Sequence, residues 1–297
     1  MGITFSLMEK LRARNVLAGT RLRVLDIGSS NLYQADAAQI IAFVKSFPQA
    51  NTGPDLPAFA ERLAKGSGYD PVKGGLNEAF AGELIERCGM QYLSFDIAKG
   101  YKTEVFDLNL QDLPDYHCNT WDVVLNVGTT EHVLNQYNSF KVIHEATKPG
   151  GFIVHQLPVA GFTNHGYYLY TGRMFSELAS FNKYEIVDLY YDGPAGNDDV
   201  FAWTRAFQSH YPALKRVDTG TPVLVPNVAL TIIYRKTIDC PFVGALETST
   251  SVGAIPASVT ASYGTTLANK AAAIIKNSQV ARNFPLLRRI WHRVRGL

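Results

Sequence analysis

The chain has 297 residues, 46% of them apolar and 18% charged, with a net charge of +2. This composition excludes a disordered, collagen-like or disulfide-framework protein, and the length allows one large domain or a core domain with appendages. No apolar run approaches the roughly 18 residues that span a bilayer, and Met1 to Thr20 lacks the uninterrupted apolar stretch of a signal peptide, so a cytoplasmic protein is expected.

In chain order, a polar-apolar helix carrying Phe5, Met8 and Leu11 leads into a first strand, Arg21 to Ile27, which ends in the abrupt turn Asp26-Ile27-Gly28-Ser29-Ser30-Asn31. Ile40, Ile41, Val44 and Phe47 then recur at helical spacing, and Leu56 to Lys65 predicts a short helix. Gly66 to Gly75, with four glycines and a proline, is a flexible connection; Glu78 to Cys88 predicts a helix delivering the chain to a second strand, Tyr92 to Asp96. About 60 residues separate these strands, where a crossover needs a dozen or more. The excess predicts a helical insertion at about 33–75, expected to serve as a substrate cover.

The alternation is regular from there. Strands are predicted at Thr103 to Asp107, Asp122 to Val127, Phe152 to Gln156, Glu185 to Tyr190 and Val228 to Arg235, with helices at Glu131 to Thr147 and Arg173 to Phe181. Lys148-Pro149-Gly150-Gly151 breaks the former helix before the fifth strand. Strands alternating with helices predict an α/β fold: a Rossmann-like seven-stranded, mostly parallel sheet with helices on both faces. The expected organisation is a core domain at 1–240, a low-complexity linker at 241–269 and a basic amphipathic helix at 270–297. In that last segment Leu286, Leu287, Ile290, Trp291 and Val294 form one stripe. From Thr248 onward there are seven basic residues and no Asp or Glu, which leaves 21 basic against 26 acidic residues in the body, −5 against +7. Such a segment suits an anionic membrane surface, packing on the acidic body or a second copy; without a reading motif, nucleic acid is not an expected partner.

The chemistry follows from the strand ends. A glycine turn lets backbone approach a ligand, and an acidic residue closing the next strand can accept hydrogen bonds from two ribose hydroxyls. Nicotinamide cofactors and S-adenosylmethionine share these needs, but a dinucleotide wants G-x-G-x-x-G, and Gly28 is the only glycine of this turn. Three cysteines without CxxC spacing (Cys88, Cys118, Cys240) make neither a disulfide framework nor a zinc site, and no metal is expected; Asn197-Asp198-Asp199 is a polar loop cluster with no accompanying ligand spacing.

Six elements in order, Val24-Leu25-Asp26-Ile27-Gly28, Ser94-Phe95-Asp96-Ile97, Phe106-Asp107-Leu108, Trp121-Asp122-Val123-Val124, Glu131-His132-Val133 and Lys148-Pro149-Gly150-Gly151-Phe152, resemble class I S-adenosylmethionine-dependent methyltransferases of the type 11 group over roughly Arg21 to Lys236. The resemblance implies S-adenosylmethionine as cofactor: the turn from Asp26 through Gly28 to Ser30 at its methionine portion, Asp96 on the ribose with Ile97 beside the adenine, Asp107 and Leu108 at the adenine edge, and Asn126 at the methyl-donor end. The family usually has two or three glycines where this turn has one, and the segment from Tyr33 to Gly75 is unusual. Methyl transfer needs alignment above all, though an oxygen nucleophile gains from a base. His132 and His165 are the candidates, against capping or packing roles, whereas His155 alternates within an apolar strand as a core residue. Tyr167 and its aromatic neighbours could stack on a sugar or pack in the core. The expected function is methyl transfer to a small-molecule or saccharide acceptor at oxygen. The alternatives are a non-catalytic methyltransferase-like binding or assembly protein and a nicotinamide-dependent oxidoreductase. A peripheral location at the inner membrane face goes with the basic tail.

Overall fold

The structure, a computed structural model, describes residues 2–68, 77–163, 165–193, 197–199 and 224–246 together with Ser258. Contacts divide the chain into Met1–Phe242 and Val243–Leu297, and the elements below belong to the first unit. The basic segment expected at 270–297 and the linker's low-complexity stretch lie outside the described residues, apart from Ser258.

From the amino terminus, β1 (Gly2–Thr4) runs into α1 (Phe5–Ala13), then β2 (Arg23–Ile27) and β3 (Asn31–Tyr33). Next come α2 (Ala37–Lys45), α3 (Leu56–Gly66), α4 (Ala81–Arg87), β4 (Gln91–Asp96), β5 (Thr103–Val105) and β6 (Trp121–Val127). After these come α5 (Gln136–Ala146), β7 (Thr147–Ala160), α6 (Gly172–Asn182), β8 (Tyr184–Asp192), β9 (Asn197–Asp199), β10 (Leu224–Pro226) and β11 (Val228–Lys236). Seven strands form one sheet in the order β5-β4-β2-β6-β7-β11-β8. Every neighbouring pair is parallel except those of β11, which runs antiparallel to both β7 and β8. This is the seven-stranded, mostly parallel sheet that the alternating pattern predicts.

Period-two alternation along the central strands splits the core in two. Val24, Val123, Leu125 and Val154 pack with α1 to α4 in one cluster, whereas Leu25, Val124, Ile153 and Ile232 pack with α5 and α6 in the other. The insertion belongs to the first cluster through Ile40, Phe43, Val44, Leu56 and Leu63. Arg87 clamps it with a bidentate pair to Asp55 (2.8 and 2.9 Å). Its described residues build a helical layer on this cluster, and residues 69–75 of the insertion lie outside the described residues.

Three local expectations are corrected. After the first turn the chain makes a short strand, with Asn31–Tyr33 parallel to Gly2–Thr4, before α2 begins behind its Asp36 cap. The helix expected from Glu131 starts at Gln136, because Thr130–His132 make a separate 3-10 turn and the Asn135 side chain caps α5 by accepting from Asn138 N. The fifth strand starts earlier, at Thr147, with a register irregularity over Lys148–Gly151. A Cβ on Gly151 would stand 2.9 Å from Lys148 O and 3.0 Å from Asp122 O, so the closing glycine is sterically required there.

Candidate active site

β4 and β5 lie to one side of β2, and β6 to the other, so the strand order reverses between β2 and β6. In open parallel sheets a crevice forms outside the carboxyl ends of the strands at such a reversal. A cleft of about 110 Å³, open to solvent, is found there. Gly28 stands at its floor, Phe95, Asp96 and Ile97 come from the end of β4, Phe106 to Asn109 follow β5, and Thr129, His132 and Val133 follow β6.

The first turn shows how one glycine is enough. Gly28 adopts φ +93°, a conformation costly for any residue with a Cβ, and its N–H donates to Phe95 O at 2.6 Å. The fully buried Asp26 carboxylate then fastens the turn: Oδ2 accepts from Ser30 N (2.9 Å) and from the Tyr92 hydroxyl (2.8 Å), and Oδ1 from Ser30 Oγ (3.1 Å). Burial pushes Asp26 up to about 7, against the pull of the Ser30 and Tyr92 hydrogen bonds. Asp26 and Ser30 therefore brace the turn from behind the cleft. Asn126 is buried as well, its amide nitrogen within 2.9 Å of both Thr130 Oγ1 and His155 Nδ1.

Asp96 closes β4 with both oxygens anchored: Oδ2 accepts from Ser29 N at 3.0 Å and Oδ1 from Ala98 N at 2.9 Å. The two backbone donors fix its orientation toward the cleft, and each oxygen keeps a further lone pair for a ligand hydroxyl. Beside it Ile97 is 75% exposed, an apolar face with nothing packed over it. Asp107 Oδ1 accepts from Asn109 N (2.8 Å), and the buried Leu108 continues the same wall over the stacked Phe95 and Phe106 rings (4.6 Å between centroids).

Opposite them, the Thr129 hydroxyl donates to Ile27 O and ties the β6 loop to the end of β2. His132 sits on the following 3-10 turn, its pKa lowered by burial against the opposing Glu131 carboxylate, so the neutral imidazole prevails at physiological pH. His165 comes from the loop after β7, its ring 4.7 Å from that of His132 and its Nε2 3.6 Å from Glu131 Oε1. Tyr167 N donates to Glu131 O at 2.7 Å, which binds that loop to the turn. Tyr168 and Tyr170 serve the same attachment: Tyr168 donates to Leu134 O, and the buried Tyr170 hydroxyl donates to Gln136 Oε1 at 2.7 Å and lies 3.2 Å from the Thr130 hydroxyl. Tyr167 is left 74% exposed. His155 is a buried core histidine, pushed down to about 3 by burial.

Of the residues singled out from the sequence, Gly28, Asp96, Ile97, Asp107, Leu108 and His132 share one cleft. His165 stands beside His132, while Asp26, Ser30 and Asn126 lie beneath. The residue that sequence reasoning passed over is Glu131, seen there only as the start of a helix. It is 1% exposed, and its Oε2 has no hydrogen-bond partner.

No protein-family model and no curated protein matches the chain. Solved structures do match, at low identity. An S-adenosylmethionine-dependent methyltransferase of Archaeoglobus fulgidus is 12% identical, with 77% of this chain and 93% of that one covered, at a TM-score of 0.39. The 1,6-didemethyltoxoflavin-N1-methyltransferase of Burkholderia thailandensis, with 1,6-didemethyltoxoflavin and S-adenosylhomocysteine bound, is 12% identical, covering 79% of each chain at 0.39. The cyclase SpnF is 13% identical, covering 79% of this chain and 81% of its own at 0.39. By its own sheet order, its cleft at the strand-order reversal and the placement of its motifs at the strand ends, the chain has the Rossmann-like fold of class I S-adenosylmethionine-dependent methyltransferases.

Proposed function

We propose that the protein transfers the methyl group of S-adenosylmethionine to an oxygen atom of a small-molecule or saccharide acceptor. The observation that carries this is the convergence of Gly28, Asp96–Ile97, Asp107–Leu108 and His132 on one cleft. The residues present fit the cofactor: a left-handed glycine for close backbone approach, an oriented carboxylate for two ribose hydroxyls, and the exposed Ile97 as an apolar face for a base. When bound, S-adenosylmethionine supplies an already activated methyl group, so the chain's task is alignment and exclusion of water. The neutral His132, with His165 beside it, stands where an acceptor hydroxyl can be polarised or relieved of its proton. The exposed Tyr167 ring, two residues from His165, offers a stacking face for a sugar.

The nicotinamide alternative fares worse on geometry. Pyrophosphate binding draws on free N–H groups at a helix N-terminus directly after the first strand. Here β3 follows that strand, and α2 has its leading N–H groups occupied by the chain's own Asp36 (2.8 and 3.2 Å). Around the core, the assignment of 1–240 as the catalytic domain, 241–269 as a linker and 270–297 as a membrane-surface segment on the cytoplasmic side belongs to the same proposal.

Calorimetric titration with S-adenosylmethionine, S-adenosylhomocysteine and NAD tests it. Both adenosyl compounds should bind, NAD should not, and Asp96→Ala should weaken adenosyl binding at least tenfold, since a hydrogen bond to a charged group contributes about 1.5–3 kcal/mol. No heat from either adenosyl compound at millimolar concentration defeats the proposal. Adenosyl binding without turnover across acceptors favours the non-catalytic binding protein instead.

A further inference from the structure

A buried carboxylate oxygen with no partner costs free energy that a fold ordinarily avoids. Glu131 Oε2 is such an atom, and it is not isolated: Glu131, His132 and His165 bring one ligand-capable atom each to within 4.8 Å of one another. Three separate features hold them there. The 3-10 turn fixes Glu131 and His132 in sequence, the Tyr167 N–H bond to Glu131 O carries the second loop against that turn, and Gly166 permits the approach, since a Cβ on it would stand 2.8 Å from both Glu131 Cγ and Glu131 O.

We propose that Glu131, His132 and His165 bind a divalent first-row transition-metal ion at the acceptor end of the cleft. Two imidazoles and one carboxylate suit zinc, iron, manganese or cobalt, whereas magnesium and calcium prefer all-oxygen shells. Three protein ligands would leave coordination positions open, and His132 borders the cleft in which an acceptor would be held. Glu131 supplies the negative charge that offsets part of the ion's own, and its unpartnered oxygen gains the partner it lacks. The site deepens the methyltransferase proposal and rests on it for its role. An acceptor hydroxyl bound to the ion becomes more acidic and gives its proton to water. The oxygen then forms the new bond to the methyl carbon as the carbon–sulfur bond breaks, with its electron pair going to sulfur. In this arrangement the two histidines act as ligands, and the ion takes the place of a general base.

The experiment uses the untagged full chain, stripped with EDTA and dialysed to equilibrium against zinc or cobalt alone, with metal per chain measured by mass spectrometry and the cobalt form followed by its visible absorption. The expected result is one ion per chain, with affinity reduced at least tenfold in both Glu131→Gln and His165→Ala. His165 is 42% exposed, so its replacement leaves the fold intact, and unchanged circular dichroism confirms this. Absence of stoichiometric zinc or cobalt in the wild-type chain overturns the site, as does a His165→Ala variant that binds as tightly as wild type. Parallel titration with S-adenosylhomocysteine separates the two proposals. Adenosyl binding without metal removes the metal site alone, and metal binding without adenosyl binding leaves the site standing while the methyltransferase assignment falls.

Discussion

Asp26 is both the brace of the ligand turn and a charge without exposure, and the two roles pull its protonation in opposite directions. In the folded chain its carboxyl holds a proton up to about pH 7, whereas the ordinary value is 3.8. Between those values the folded state binds the extra proton, so this group's stabilisation is complete below about pH 3.8 and is lost as pH rises through about 7. Buried His144 and His155, pushed down to about 4 and about 3, act oppositely: each stays neutral when folded, and stability is lost as pH falls below their ordinary 6.5. Bulk acid titration therefore mixes the two signs, and Asp26→Asn isolates one. In urea unfolding at pH 5 and pH 7.5, the stability of wild type relative to this variant should fall by about 2.5 kcal/mol over the interval, at 1.36 kcal/mol per pKa unit. A pH-independent difference would mean that Asp26 is ionised throughout. Removing the Tyr92 hydroxyl with Tyr92→Phe should shrink the ionised form's support further, because that hydroxyl donates directly to Oδ2.

At the scale of elements, α5 illustrates what the sequence shows and what it conceals. Its body was legible, since Phe140, Ile143 and Val142 repeat at core spacing and all are buried. Its start was not: Glu131 and Val133 prolong the pattern, whereas Thr130–His132 turn as a 3-10 segment and the Asn135 side chain caps the helix that follows. Likewise β2, β4 and β6 announce themselves as apolar runs, whereas β3 is three residues long and exists because Gly2–Thr4 lies beside it. The strand ends marked Gly28 and Asp96 as ligand positions, because in a parallel sheet the carboxyl edge is where backbone opens. Glu131 carried no such mark, its meaning depending on His165, which a loop brings from 34 positions along the chain. The Asn135 cap joins helix and cleft: Oδ1 accepts from Asn138 N at 3.2 Å, while Nδ2 donates to the cleft residue Asn109 at 3.0 Å. Asn135→Ala should therefore cost about 1 kcal/mol in urea unfolding. It should also weaken adenosylhomocysteine binding several-fold by freeing the Asn109 wall; a stability loss with unchanged affinity would show that the cap serves the helix alone.

On the scale of the whole molecule, the charge distribution sets the body against its tail. The body carries −5, and the 50 residues from Thr248 carry +7 with no acidic side chain, so the net +2 describes neither part. No helix among the described residues is long and apolar enough to cross a membrane. An acidic body is repelled by an anionic surface, and a basic segment bearing Leu286, Leu287, Ile290 and Trp291 is attracted to it, each basic residue contributing about 1 kcal/mol near such a surface. The full chain should therefore co-sediment with phosphatidylserine-containing vesicles at about 0.1 M salt and be released at about 1 M, where the screening length falls to about 3 Å. A chain ending at Glu247 should stay in solution under both conditions, and neither form should follow neutral vesicles. Equal sedimentation of the two chains would exclude the tail as the attachment. Thermal unfolding of the same pair distinguishes the competing role: if the tail packs on the acidic body instead, its removal lowers the melting temperature and makes that loss salt-dependent, whereas a tail reserved for the membrane leaves the melting temperature where it was.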